Sequence, residues 1–379
     1  MKRLALRLLD RYDHHTSAKI LLIEDSVGFL PWRDRYSGIQ PDLRRFTGLH
    51  CAAYFGIAEI TAELLNMEGW DLNGRDSYGA TLLMWAAKYG NCAFTEMLLE
   101  QGNVDPTLSD KRGQAALTHA ARAGHQGVVK LLLERGDVYP DWPDEHGRTP
   151  LSHAADSGSE SVVRILLKRV DVSPNSSDAD GRTSLSYAAE SAKEDVVKLL
   201  LERGDVGPDL SDRRGRTPLS YAAESGNEGV VKILMQRTDV SPDLADEDGR
   251  TPLSYATRSR HGGVVKLLIQ RIDVTLDSAD EDGRTPLSYA AEFGRADTVQ
   301  LLLERKDVNP DLSNKSGRTA LSYAAESGRV CVVKLLSQRG DVNSDSPDCR
   351  GRTPLSYASG SGREGVVTIL LELTDVNPD

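Results

Sequence analysis

Apolar residues recur along this chain in short bursts at helical spacing. In the stretch 215–248, Leu219, Ala222 and Ala223 fall at i, i+3 and i+4, and Val230, Val231, Ile233 and Leu234 follow after a break at Gly226. Each burst is the buried stripe of a short helix. Thr217 before Pro218 reads as an N-cap followed by proline at the first helical position. Gly226 stands where a helix C-terminus calls for glycine. Gly215 opens the stretch in a turn, and the polar run "TDVSPDLADED" closes it. The pattern predicts a helix, a tight turn, an antiparallel helix and an extended finger.

The same pattern returns at a fixed interval. The opening glycine falls at Gly79, Gly113, Gly147, Gly181, Gly215, Gly249, Gly283, Gly317 and Gly351, each 34 residues after the last. A further copy, "RFTGLHCAAYFG", begins at Arg45. Ten units in one register, with repeats starting at 45, 79, 113, 147, 181, 215, 249, 283, 317 and 351, are the signature of a solenoid. Two short helices cannot bury an apolar stripe alone, so each unit is stabilised mainly by its neighbours. The expectation is one all-α array over 45–379, although a chain of this length would ordinarily suggest more than one domain. Residues 1–44 fall outside the register. "LALRLLDRY" and "SAKILLIEDS" read as short helices, forming either an N-terminal cap or a linker.

The string of Thr-Pro-Leu, paired alanines, glycine and Val-Val-x-Leu-Leu-Leu resembles the ankyrin repeat. The units as a set, introduced by "FTGLHCAAYFGIAEITAELL", resemble the arrays at the C-terminal end of fungal NACHT-type receptor proteins. The resemblance implies an ankyrin-type α-solenoid that binds through inner helices and finger tips. Two departures stand out. Serine (Ser152, Ser220, Ser288 and their equivalents) stands where the family usually has histidine, which only His50 keeps. The finger also carries one extra residue, often beside a proline such as Pro140 or Pro208.

Composition narrows the partner. The net charge is −11, and an acidic array is a poor counterion for phosphate, which argues against nucleic acid. No apolar run approaches the roughly 18 residues of a membrane span, and Arg7 and Asp10 interrupt the one stretch that resembles a signal peptide. Cys51, Cys92, Cys331 and Cys349 are scattered, which points to a reducing, intracellular setting and a cytoplasmic or nuclear home.

Chemistry is hard to find. The chain has no "GK" dipeptide, no HExxH, no G-x-S-x-G and no CxxC. His119 and His153 occupy one slot in adjacent units. Stacked helices hold such slots about 8–10 Å apart, whereas zinc needs its ligands about 2.0–2.1 Å away. They therefore read as ordinary half-exposed histidines. Asp205, Asp239, Asp273 and Asp307 recur with the repeat and read as turn formers. We expect no enzyme activity, no metal and no cofactor.

Two surfaces compete for a partner. Units four to ten carry an arginine ladder (Arg148, Arg182, Arg216, Arg250, Arg284, Arg318, Arg352) beside a mostly acidic slot (Asp156, Glu190, Glu224, Glu292, Glu326). Opposite charges one unit apart can satisfy each other in water at about 0–1 kcal/mol each, so this reads as a solvated face. Tyr187, Tyr221, Tyr255, Tyr289, Tyr323 and Tyr357 form a second ladder, expected to be half-buried between inner helices. Units one to three instead hold Phe46, Tyr54, Phe55, Trp85, Lys88, Tyr89 and Arg122. Aromatic residues with arginine have the composition of interface anchors; the competing reading is that these rings pack beneath residues 1–44.

The expected function is a non-catalytic protein-binding scaffold whose partner is another protein. It would be either the sensing array of a larger receptor or a self-standing adaptor; the third reading is an enzyme with an unfamiliar site in the groove. The final unit keeps Val366, Val367, Ile369, Leu370 and Leu371, and its second arginine slot has become Leu373. That apolar edge predicts further repeats or weak self-association through the last unit.

Overall fold

The computed structural model describes residues 71–259 and 261–373. The segment 1–44, the unit beginning at Arg45 with Phe46, Tyr54 and Phe55, and residues 374–379 lie outside that range. The chain divides into two compact units, Met1–Ala179 and Asp180–Asp379. In the first, the described helices are α1 (Leu82–Tyr89), α2 (Cys92–Glu100), α3 (Ala116–Ala123), α4 (Gln126–Leu133), α5 (Pro150–Ser157) and α6 (Glu160–Leu167). The second runs from α7 (Ser184–Glu190) and α8 (Glu194–Glu202) through α9 (Pro218–Ser225), α10 (Glu228–Met235), α11 (Pro252–Arg258) and α12 (Gly262–Leu268). It continues with α13 (Pro286–Glu292), α14 (Ala296–Leu303), α15 (Ala320–Glu326), α16 (Val330–Ser337), α17 (Pro354–Gly360) and α18 (Glu364–Leu371). The fold is an all-α helical solenoid of repeated helix pairs.

Within each unit, odd-numbered helices pack on odd and even on even, and the two helices of a pair pack together. The stripes that the sequence spaces at i, i+3 and i+4 supply the core. Leu219, Ala222, Ala223, Val230, Val231 and Leu234 are all buried. Each leucine or valine taken out of water contributes about 1.5–3 kcal/mol, and the alanines let the odd helices approach closely. Thr217 accepts a hydrogen bond from the Ser220 N–H (3.2 Å), while the Ser220 hydroxyl accepts from the Thr217 N–H (3.4 Å). This reciprocal capping box gives the serine of the repeat its physical role.

Two glycines show why the repeat needs them. Gly215 has φ +81°, and a Cβ there would stand 2.9 Å from the Asp246 Cα of the next finger. Gly226 has φ +77° at the end of α9. Ala192 occupies the equivalent place after α7 and, at φ 55°, is the one non-glycine residue with positive φ among the described residues.

Adjacent fingers are joined by single main-chain bonds, such as Arg213 N–H to the Asp180 carbonyl (2.8 Å) and Glu247 N–H to the Arg214 carbonyl (2.8 Å). One bond per step makes no sheet; the described residues contain isolated bridges, such as that between Ser109 and Ala115. The fingers carry a further tie. Asp209 accepts the Ser241 N–H (2.8 Å), Asp243 the Thr275 N–H (2.7 Å) and Asp277 the Asn309 N–H (2.8 Å), so each finger base holds the next.

A second tie acts at the even helices. Arg271 forks onto Asp273 through Nε and Nη2 and reaches back with Nη1 to the carbonyls of Met235 (3.3 Å), Arg237 (3.3 Å) and Val240 (3.4 Å). Arg305 and Arg339 repeat the arrangement on Ile269 and Leu303, with Asp307 and Asp341 as their carboxylates. Asp273, Asp307 and Asp341 are the partners of these arginines and Asp239 pairs with Arg237 in the same way, a role for Asp239, Asp273 and Asp307 beyond the turn forming expected of them. Leu373 carries no such group, and around it the last pair is less covered. Val367 is half-buried where Val333 is buried, and Leu371 is exposed.

Candidate protein-binding face

The first turn of most odd helices presents one large side chain toward a finger residue nine positions earlier. In the second unit Tyr221 donates to Asp212 (2.6 Å), Tyr255 to Asp246 (2.5 Å), Tyr289 to Asp280 and Tyr357 to Asp348 (2.6 Å). The same carboxylate closes its own finger: Asp212 accepts the N–H groups of Arg214 and Arg216, both at 2.9 Å. At Asn314 the amide donates to the Tyr323 hydroxyl (2.8 Å), and its carbonyl accepts from Ser316 and Arg318. These tyrosines are buried, more deeply than the half-burial expected.

In the first unit other donors fill the slot. Trp85 Nε1 donates to Asp76 (2.9 Å), His119 Nε2 lies 3.0 Å from Asp110, and His153 Nε2 lies 2.8 Å from Asp144. The two histidines are buried, which corrects the expectation that they are half-exposed. Each is an anchor between helix and finger. Burial, with the nearby Arg148 charge, pushes the His153 ring down to about 4, against the opposing pull of Asp144. Asp144 sits below the usual carboxylate range: burial raises it, but the bonds from His153, Arg148 and His146 outweigh burial. Among the described residues no group of three or more His, Cys, Asp or Glu is placed to hold a metal ion.

The arginines of the ladder pair either within their own repeat or with the end of the finger just before them. Arg148 pairs with Asp156 (2.9 Å), and Arg182, Arg284 and Arg318 pair with Glu190, Glu292 and Glu326, each eight residues on. Arg216 favours Asp212 at 3.0 Å over Glu224 at 3.8 Å. The guanidinium planes also lie over the tyrosines. Arg284 is 4.2 Å from the Tyr289 centroid and 4.5 Å from that of Tyr323, and Arg318 lies between Tyr323 and Tyr357 at 4.2 and 4.3 Å. Cation–π contact thus continues from repeat to repeat within the second unit. Arg250 departs because the acidic position eight residues on is Arg258; it turns to Asp248 at 2.7 Å instead.

Nine helix pairs are described, and a model of ankyrin repeats (3 copies) matches residues 11–110, 95–178, 169–243, 237–312 and 306–379. The chain belongs to the ankyrin-repeat family. No curated protein matches it.

Of the expected contact residues, the ankyrin array brings three together. Trp85 and Tyr89 stack with centroids 5.7 Å apart and planes at 22°. Lys88 Nζ lies 5.7 Å from the Trp85 ring and 5.5 Å from that of Tyr89. All three are half-buried on α1. Arg122 is exposed on α3, and its charge joins that of Lys88 in lowering the pKa of His119, after burial as the larger cause. Phe46, Tyr54 and Phe55 fall outside the described residues. The finger anchors Asp110, Asp144, Asp212, Asp246 and Asp280 went unnoticed in the sequence. Their signal was an Asp or Asn nine residues before every large inner-helix side chain.

Proposed function

We propose that this ankyrin array is a non-catalytic protein-interaction scaffold whose principal partner is another protein, engaged through Trp85, Lys88, Tyr89 and Arg122, with Phe46, Tyr54 and Phe55 as the remaining candidates. What carries the reading is the composition of α1, where the Lys88 ammonium lies over the stacked, half-buried pair Trp85 and Tyr89. Rings and cations of this kind dominate interface energetics when a partner excludes water from them.

Affinity capture with the full chain as bait, read by mass spectrometry, tests this. A partner held by the native chain is expected to be lost with Lys88→Ala/Tyr89→Ala and kept with Arg250→Ala or Arg284→Ala. Equal capture by all of these would remove the site from α1. The finer reading, the ligand-sensing end of a larger receptor of the fungal NACHT type acting in the cytoplasm, rests on the resemblance of the repeat motifs. Transcript mapping tests it, since a self-standing adaptor predicts a message without an upstream receptor domain. No described helix is long and apolar enough to cross a membrane.

A further inference from the structure

The helix pair α3–α4 breaks a device its neighbours share. Thr149 and Thr217 cap α5 and α9, followed by Pro150 and Pro218. At α3 the N-cap is Ala115 and the next residue is Ala116, so no side chain caps the helix. Thr118 holds the slot of Ser152 and Ser220 but has lost the threonine it would bond. It is only 1% exposed, and its Oγ1 has no hydrogen-bond partner. A buried hydroxyl in that condition is unfavourable, which an incoming acceptor would relieve.

Thr118 lines a shallow cleft with Pro106, Val138, Tyr139, Trp142 and Pro150. At its mouth Tyr139 is 65% and Trp142 49% exposed, with ring centroids 6.3 Å apart and planes inclined at 39°. The positions matching Tyr139 on other fingers are small or polar: Asp105, Ser173, Gly207, Ser241, Thr275, Asn309 and Asn343. The truncated cap, the orphaned hydroxyl, the cleft and the exposed ring pair converge on one place.

We propose that this cleft binds a proline-rich peptide in the polyproline II conformation, carrying Lys or Arg beside its prolines. The inference rests on the reading of the array as a protein scaffold but uses residues other than the α1 cluster. Three features select that occupant. Two inclined exposed rings over a proline-lined floor form a notch for a pyrrolidine ring, the arrangement that reads preformed proline helices. The Tyr139 hydroxyl, the Trp142 indole N–H and the Thr118 hydroxyl can all donate. A proline-rich chain offers carbonyl acceptors and few N–H groups, so donors are what it requires. On the finger carrying the rings, Asp137 pairs with Arg135 and Asp144 is buried against His153, so the negative charge a basic peptide meets there is that of Asp141 and Glu145.

Isothermal titration of the full chain with a synthetic peptide of repeated Ala-Pro-Pro triplets ending in two arginines is the test. Saturable binding is expected with Kd on the order of 10–100 µM. It should weaken about tenfold in Tyr139→Ala and in Trp142→Ala, whose side chains are exposed anchors, and about threefold in Thr118→Val, which keeps the shape and removes the hydroxyl. A Gly-Ser peptide with the same arginines should not bind, and a peptide ending in two glutamates should bind more weakly. Absence of binding up to about 1 mM, equal binding of the Gly-Ser peptide, or unchanged affinity in the aromatic variants would each overturn the proposal. Trp142→Ala should leave capture through Lys88 and Tyr89 intact, so this cleft and the α1 site can fail separately.

Discussion

Asp212 is the residue at which helix, finger and arginine ladder meet, and its substitution gives the sharpest test of what holds a repeat in shape. One carboxylate oxygen accepts the Arg214 and Arg216 N–H groups. The other accepts the Tyr221 hydroxyl and the Arg216 guanidinium, whose Nε lies at 3.0 Å. Asp212→Ala removes two backbone bonds at about 1 kcal/mol each and leaves the buried Tyr221 hydroxyl without its acceptor at about 1–3 kcal/mol. The expected loss is about 3–5 kcal/mol. Asp212→Asn should cost only about 1 kcal/mol, the difference between a charged and a neutral partner for Arg216. The protein carries its own control at Asn314, where an amide keeps both turn bonds and reverses the tyrosine bond. Urea unfolding followed by far-UV circular dichroism measures both variants. Hydrogen exchange at the Arg214 and Arg216 amides shows whether the loss is local, as neighbour-dependent repeats require. If Asn costs as much as Ala, the carboxylate's charge holds the finger and the geometric account of the anchor is wrong.

Three further outcomes follow from the same contacts. The folded His153 ring titrates at about 4, below its usual 6.5. The fold therefore holds the neutral ring, and its contribution is full above about pH 6.5 and drains by about 3 kcal/mol as the pH falls toward 4. His153→Tyr, which restores the residue found at Tyr221, should flatten that part of the urea midpoint against pH; an unchanged slope would place the dependence elsewhere. Ala192→Gly should raise stability by about 1 kcal/mol, since it relieves positive φ at an exposed site. Gly226→Ala should lower it by more, because the new Cβ would sit 2.1 Å from His261 Nδ1; equal and opposite changes would mean that contact is harmless. Arg271→Ala removes the tie to the Met235, Arg237 and Val240 carbonyls and should cost about 1–2 kcal/mol, seen as faster exchange in α10 and α12. No change there would reduce the arginine to a surface ion pair.

The sequence by itself determined the helices, their pairing and the solenoid class. Stripes such as Leu219, Ala222 and Ala223, the Thr217–Pro218 start and the Gly226 stop act over a few residues, so their physics is written in their order. The period then required each pair to bury its stripe on the next. The destinations of the polar side chains were decided by the tertiary structure. Arg284 pairs with Glu292 within its repeat and lies over Tyr289 and Tyr323 because helix stacking sets those rings a guanidinium's reach apart. Trp85, His119 and Tyr221 look unlike one another along the chain, yet each donates to the finger carboxylate nine residues earlier. The orphaned hydroxyl of Thr118 likewise emerges only when the missing cap at Ala115 is set beside the exposed rings of the following finger. Local hydrogen bonds and apolar spacing depend on near neighbours, whereas ion pairs, ring stacks and clefts depend on distances that only packing between repeats sets.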